Sequence, residues 1–126
     1  MRKVSQDCTF NQASFLTKLK PLKEGNSYWS CDLKAATDRF PIEIISKVLK
    51  GALPDSYVDA WKDIMVGYPF LSDGKEYSYG TGNPMGAYSS WNSFTLAHHF
   101  VVFQCCQKIG IKWKEANYVI LGDDIV

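Results

Sequence analysis

Hydrophobic and polar positions change period several times along the chain. In SYWSCDL, residues 27–33, Tyr28, Ser30 and Asp32 fall on one side and Trp29, Cys31 and Leu33 on the other. That period of two predicts a strand with Asp32 at its C-terminal end. Past Pro41 the period lengthens: Ile42, Ile45, Val48 and Leu49 form one stripe, Pro41 suits the first helical position and Gly51 supplies a stop. A second helix is expected from Pro54 to Gly67, with Tyr57, Trp61, Ile64 and Met65 on its apolar face and Asp55, Asp59, Lys62 and Asp63 largely outside.

In YPFLSDGKEYSY, residues 68–79, Asp73 and Gly74 lie between two short aromatic arms, a strong local hairpin signal. The glycine-rich GTGNPMG, residues 80–86, follows; it fits neither the P-loop nor the dinucleotide-binding spacing. From Ala87 to about Lys108 a long helix is expected, with Trp91, Phe94, Ala97, Val101 and Cys105 on one face, widened by Phe100, Val102 and Phe103. A helix apolar over so much of its girth should be buried on several sides, under a sheet, and Gly110 ends it. The chain closes on YVILGDDIV, residues 118–126, a buried strand entering a tight turn at Gly122, where Asp123 and Asp124 sit. The order is strand, two helices, hairpin, glycine loop, long helix, strand and turn. It predicts an α+β fold, an antiparallel sheet backed by helices.

Composition adds bounds. The 126 residues are 46% hydrophobic and 14% aromatic, enough for one globular domain with a real core. Fourteen basic against thirteen acidic residues leave a net charge of +1, without the basic excess usual in a nucleic-acid-binding domain. The basic run KLKPLKEG, in an irregular segment reaching to about Gly25, reads most simply as a solvated stretch ending in a turn. No stretch approaches the roughly 20 apolar residues of a membrane span, and MRKVSQDCTF lacks the apolar core of a signal peptide. Cys8, Cys31, Cys105 and Cys106 form no CxxC pair and read as reduced. His98 and Cys105, if on one helix, share a face but stand two turns apart, too far for one tetrahedral zinc site without another element.

Chemistry gathers at the carboxylates. Taken alone, Asp123-Asp124 reads most simply as a solvated surface turn. If the strand ending at Asp32 neighbours the strand ending at Gly122, however, three carboxylates meet at one sheet edge, and divalent cations best relieve their repulsion. Hard oxygen ligation of this kind suits Mg²⁺ shared with substrate phosphates. Two such ions about 4 Å apart stabilise the attacking and leaving oxygens of a phosphoryl displacement.

At this point DLKAATDRFP (residues 32–41), GNPMGAYSSW (82–91), the pair His98-His99 and LGDDIV (121–126) resemble, in order, polymerase motifs A, B and C of the mitoviruses, capsidless RNA viruses that replicate in mitochondria. DCTFNQ, residues 7–12, is similar to a segment just ahead of motif A in that family, so the resemblance spans nearly the whole chain. It implies the palm of a right-hand RNA-dependent RNA polymerase, with an irregular lead-in over residues 1–26 and motifs A to C over 27–126 of a single partial palm domain. Asp32 and Asp123 would hold two Mg²⁺ or Mn²⁺ ions and Asp124 would assist. By the same resemblance Asp38 helps to recognise the ribose of the incoming nucleotide, together with Ser90, and the loop from Gly82 to Gly86 flexes near the template, where backbone can approach closely. Other readings stand beside these: Asp38 suits a first-turn or cap position ahead of Pro41, and Ser90 suits the first turns of a helix. The family usually has Gln where this chain has Asn83, Gly where it has Cys8 and Ser where it has Lys34, whose cation would either compete with a metal or point to solvent.

The resemblance also implies an RNA template and nucleoside triphosphates as partners, no membrane, and a mitochondrial location. Fingers, motif D and thumb are missing, so the chain reads as a palm fragment truncated after the motif C turn, its second strand cut short and its sheet edge ragged. Such a fragment is expected to be inactive alone, a degenerate copy of the kind captured in plant genomes. The alternatives are one piece of a split polymerase completed by separate chains, and a non-enzymatic RNA-binding or interaction module.

Overall fold

Glycine at position 122 adopts φ +63°, and this lets the chain reverse within two residues. Strand β4 (Ile120–Leu121) is followed at once by β5 (Asp124–Ile125), with Leu121 opposite Asp124. Gly122 at the first central position with positive φ, and Asp123 without it, makes a type II′ turn, whose twist matches that of the flanking strands. Val119 and Val126 extend the ladder by exchanging hydrogen bonds of 3.0 and 3.1 Å. The second strand, expected to be cut short, therefore forms. It lies at the centre of a three-stranded antiparallel sheet in the order β1-β5-β4, where β1 is Cys31–Asp32.

The computed structural model describes residues 4–126. Residues 1–3, the start of the segment scanned for a signal peptide, lie outside the described residues. The protein is α+β, and its contacts divide it into two units: residues up to Lys34 with His98–Val126, and Ala35–Ala97.

In the first unit the lead-in is more ordered than its irregular pattern implies. Asp7 bridges Ile120 in parallel sense; Cys8 N–H donates to the Ile120 carbonyl (2.8 Å) and Ile120 N–H to that of Gln6 (3.0 Å). The free edge of β4 is covered in this way, and Tyr118, Val119, Ile120 and Cys8 are buried there. A 3₁₀ turn (Gln12–Ser14) and the short α1 (Phe15–Lys18) follow. Asn117 then exchanges side-chain amide hydrogen bonds with the backbone of Lys20. The expected strand over residues 27–33 shrinks to two exposed residues, because only Cys31 and Asp32 find partners, Ile125 and Asp124.

In the second unit Ala35, with φ +51°, turns the chain into α2 (Ala36–Arg39). Helix α3 (Ile42–Lys50) forms as expected, with Pro41 just outside as its cap, Gly51 beyond its end, and Ile42 and Ile45 buried. Helix α4 (Asp55–Val66) also forms, but its inward face is displaced. Val58 and Met65 are buried, whereas Tyr57 and Ile64 stand 62% and 77% exposed. The packed positions Val58, Trp61, Lys62 and Met65 follow the i, i+3, i+4, i+7 rule, and ion pairs to α3 hold this face inward: Lys50 with Asp59 at 2.7 Å, and Lys62 with Glu43. Strands β2 (Phe70–Ser72) and β3 (Lys75–Tyr77) form the expected hairpin. Asp73 and Gly74 both have positive φ, as a type I′ turn requires.

The long helix α5 runs from Ser90 to Lys108. It ends in a Schellman motif: Gly110, at φ +73°, donates to Gln107 O and Ile111 donates to Cys106 O. Its buried face is not the expected apolar stripe. Ser90, Ser93, Phe94, Thr95, Ala97, His98, His99 and Cys106 are buried, while Trp91, Phe100, Val101 and Cys105 are exposed. Ser93 and Thr95 return their hydroxyls to carbonyls one turn back, which satisfies them internally and lets them pack as small apolar groups.

Gly82 shows how tightly the second unit is built. A Cβ there would lie 2.0 Å from the Thr37 carbonyl oxygen and 2.4 Å from the carbonyl carbon of Asp38. Asn83 N–H donates to the Thr37 carbonyl (2.8 Å) and Ile42 N–H to Thr81 (2.9 Å), so backbone rests directly on backbone. Replacing Gly82 with Ala is expected to cost about 3 kcal/mol through overpacking. Gly80→Ala, with open space around it, should lose well under half of that. Urea unfolding midpoints of the two variants check this directly.

Candidate functional site

Because β1 pairs with β5, Asp32 and Asp124 are direct cross-strand partners. Residues directly opposite in an antiparallel pair project from the same face, so two carboxylates share one patch of exposed sheet surface. Asp123, half-buried, occupies the adjoining turn. The structure thus sets Asp32 opposite Asp124, which stands on the strand rather than in the turn, and leaves Asp123 as the neighbouring turn residue. Like charges facing each other across a ladder are destabilising, and a divalent cation is the natural relief. Among the described residues no three His, Cys, Asp or Glu side chains form a ready-made metal cluster. The donor set still suits Mg²⁺, which takes one or two carboxylates and completes its shell with water and phosphate oxygens. Lys34 is exposed two residues beyond Asp32.

The turn carrying these acids is held from below by histidine. His98 is buried, and its Nδ1 lies 2.9 Å from the Gly122 carbonyl. A carbonyl only accepts, so Nδ1 carries the proton. His99, the next residue, takes the opposite tautomer. Trp113 Nε1–H donates to the Tyr118 hydroxyl oxygen at 2.5 Å, leaving the Tyr118 O–H to donate to His99 Nδ1 at 3.0 Å. His99 Nε2–H then faces Asp7 Oδ1 at 3.6 Å, beyond hydrogen-bond range but within electrostatic reach. Burial pushes the Tyr118 phenol up to about 12, which keeps it a donor at neutral pH. Asp7 in turn accepts from the Thr9 hydroxyl at 2.5 Å. Sequence reading noted the histidine pair and Asp7 without giving them roles, and it missed Tyr118 and Trp113. A doubled histidine in an otherwise apolar stretch was the available signal.

The remaining candidates belong to the second unit. Asp38 lies in the first turn of α2 and is exposed. Ser90 is only 2% exposed and its hydroxyl donates to the Ala87 carbonyl at 3.0 Å, which is its helix-start reading. Gly82 packs on α2, and Gly86 adopts φ +84°, open to substitution by no L-residue without strain. Between them Asn83 is fully buried, and among the described residues neither of its side-chain amide atoms has a hydrogen-bond partner.

The fold is that of a palm-like α+β fragment with a small antiparallel sheet. The chain belongs to the mitovirus RNA-dependent RNA polymerase family, whose model matches residues 1–126. It is 34% identical, over its full length, to the RNA-directed RNA polymerase of Cryphonectria parasitica mitovirus 1. It is also 30% and 29% identical, over 99% and 100% of its length, to two uncharacterized mitochondrial proteins of Arabidopsis thaliana. The chain spans 16% of the length of the viral polymerase and 64% and 53% of the two plant proteins. No solved structure matches it. Among the described residues no helix is long and apolar enough to cross a membrane.

Two outcomes test this arrangement. His98→Ala should free the Gly122 carbonyl and speed amide hydrogen exchange from Gly122 to Asp124, at a cost of about 1–3 kcal/mol; unchanged exchange there would show that the ladder alone holds the turn. For His99, burial is the main cause that lowers its pKa from 6.5 to about 4, with Asp7 opposing the shift. Between those values the unfolded chain binds a proton that the folded protein does not. The stability from this group is therefore complete above pH 6.5 and is lost as the pH falls toward 4. Urea midpoints should correspond to about 3 kcal/mol less stability at the acid end, and His99→Gln should flatten that slope.

Proposed function

We propose that this chain provides the catalytic palm surface of a mitovirus-type RNA-dependent RNA polymerase, with RNA template and nucleoside triphosphates as substrates. The observation that carries the reading is the register Asp32↔Asp124 beside the Asp123 turn. Asp32, Asp123 and Asp124 would hold two Mg²⁺ or Mn²⁺ ions, which when bound supply Lewis-acid stabilisation of the transferring phosphoryl group. The chain's own residues fix where the acids stand. The ladder aligns Asp32 with Asp124, Gly122 sets the reversal, and His98 holds its carbonyl. Asp38 would accept from the ribose hydroxyls of the incoming nucleotide. Gly86 lets the loop from Gly82 turn without a side chain in the way, and Ser90 secures the start of α5 behind it.

Phosphoryl transfer depends mostly on positioning, and this chain corresponds to 16% of the viral enzyme. Polymerisation is accordingly assigned to it only in the company of further polymerase segments, and a mitochondrial location follows from the family. Paramagnetic Mn²⁺ at substoichiometric concentration tests the site without requiring activity. Amide resonances around Asp32, Asp123 and Asp124 should broaden first, Mg²⁺ should reverse this, and Asp32→Ala should weaken Mn²⁺ binding by about tenfold or more. Diffuse broadening, or none, together with salt-sensitive RNA binding that survives Asp123→Ala, would instead favour a non-enzymatic RNA-binding module.

A further inference from the structure

Helix α4 carries apolar side chains on two faces, and the described residues cover one of them. Val58 and Met65 are buried inward, with Trp61 and Lys62 half-buried beside them. Tyr57, Ala60, Trp61 and Ile64 repeat the same i, i+3, i+4, i+7 spacing about 100° further round the helix, and of these Tyr57, Ala60 and Ile64 are exposed. Trp61 belongs to both stripes. Its Nε1–H donates to Ser89 Oγ at 2.7 Å, and Tyr88, the residue before Ser89, is fully exposed. A helix whose apolar arc is this wide is ordinarily covered on two sides. Exposed aromatic and aliphatic side chains gathered in one stripe mark an interaction surface, which scattered ones do not.

We propose that this face pairs with a second copy of the chain, the two α4 helices packing antiparallel about a two-fold axis that passes between Ala60 and Trp61. A two-fold contact has to be self-complementary, residue i meeting j and j meeting i. The outer stripe meets that condition. Antiparallel alignment about this axis sets Tyr57 against the partner subunit's Ile64 at both ends and Ala60 against the partner subunit's Trp61 at the centre, so the largest side chain meets the smallest. Charge permits the same alignment. Asp55 and Asp59 are drawn to Lys50, and Lys62 to Glu43. Asp63, exposed on the flank of the stripe, is staggered by about 7.5 Å along the axis from its symmetry mate and lies near the partner subunit's Ser56, whose hydroxyl can donate to it. Area decides how tight the pair is. An aromatic side chain contributes roughly 150–250 Å². Tyr57, Ile64, Tyr88 and the open edge of Trp61 then give about 500 Å² a side and about 1,000 Å² in all, the lower bound for a specific interface. A weak, reversible dimer follows, with a dissociation constant of about 10–100 μM. It uses neither the acidic edge nor the polymerase reading.

Sedimentation equilibrium of the purified chain between about 5 and 500 μM should show a monomer passing reversibly to a dimer and no further. Tyr57→Lys and Ile64→Glu, both at exposed positions, should each weaken that dimer at least about tenfold while leaving the urea midpoint of the dilute chain unchanged. An equimolar mixture of the two variants should dimerise again. In the mixed pair the new ammonium faces the new carboxylate at one end of the interface, and Tyr57 meets Ile64 at the other. Recovery on mixing is specific to the two-fold register, because loss of fold in either variant would not be mended by the other. A chain that stays monomeric at about 500 μM, assembly that grows beyond two copies, a dimer indifferent to both substitutions, or a mixture that stays monomeric would each overturn the proposal.

Discussion

The acidic edge depends on one two-residue strand being paired on both sides. Strand β5 has Asp32 across from Asp124 on one flank and Leu121 across from it on the other. Nothing about the carboxylates themselves favours their proximity, since adjacent like charges repel. The backbone ladder has to hold them there. Its supports are all main-chain or buried: the II′ turn at Gly122, the Val119–Val126 pair that lengthens the hairpin, the Gln6–Cys8 segment that completes Ile120, and the His98 ring beneath the turn. An arrangement that concentrates repulsion at the surface is anchored by hydrogen bonds below it.

The second unit uses another constraint, the contact of backbone with backbone. Gly82 lies so close to Thr37 and Asp38 that only a hydrogen atom fits. The contact fixes the glycine loop at one end, while Gly86 gives it a left-handed turn at the other. Asn83, between them, is fully buried.

What the sequence made legible follows from how local each signal is. Asp73-Gly74 and Gly122 dictate backbone conformations through their own sterics: the first hairpin formed as read, and the turn at Gly122 formed with a second strand that was expected to be cut short. Helix α3 was legible because proline, stripe and glycine agreed. The faces of α4 and α5 were not, because hydropathy alone cannot register a serine whose hydroxyl turns back on its own helix, or a lysine held inward by a glutamate on the neighbouring helix. The alternation around Tyr28 and Trp29 predicted a longer strand than exists, since alternation describes a strand without supplying a partner for it. The three acids were legible by motif. The tautomers of His98 and His99 were not, because only tertiary placement decides which nitrogen meets a carbonyl and which a phenol.

Because side chains alternate along a strand, the pairing of Asp32 with Asp124 has a genetic consequence. Inserting or deleting one residue between Leu121 and Asp124 would shift β5 by one place and turn Asp124 to the face opposite Asp32. The reading frame, net charge and helix content would all survive such a three-nucleotide change, and the acidic patch would not. At this point in the gene a change of one codon would act on the pairing of the two acids while leaving the downstream frame intact.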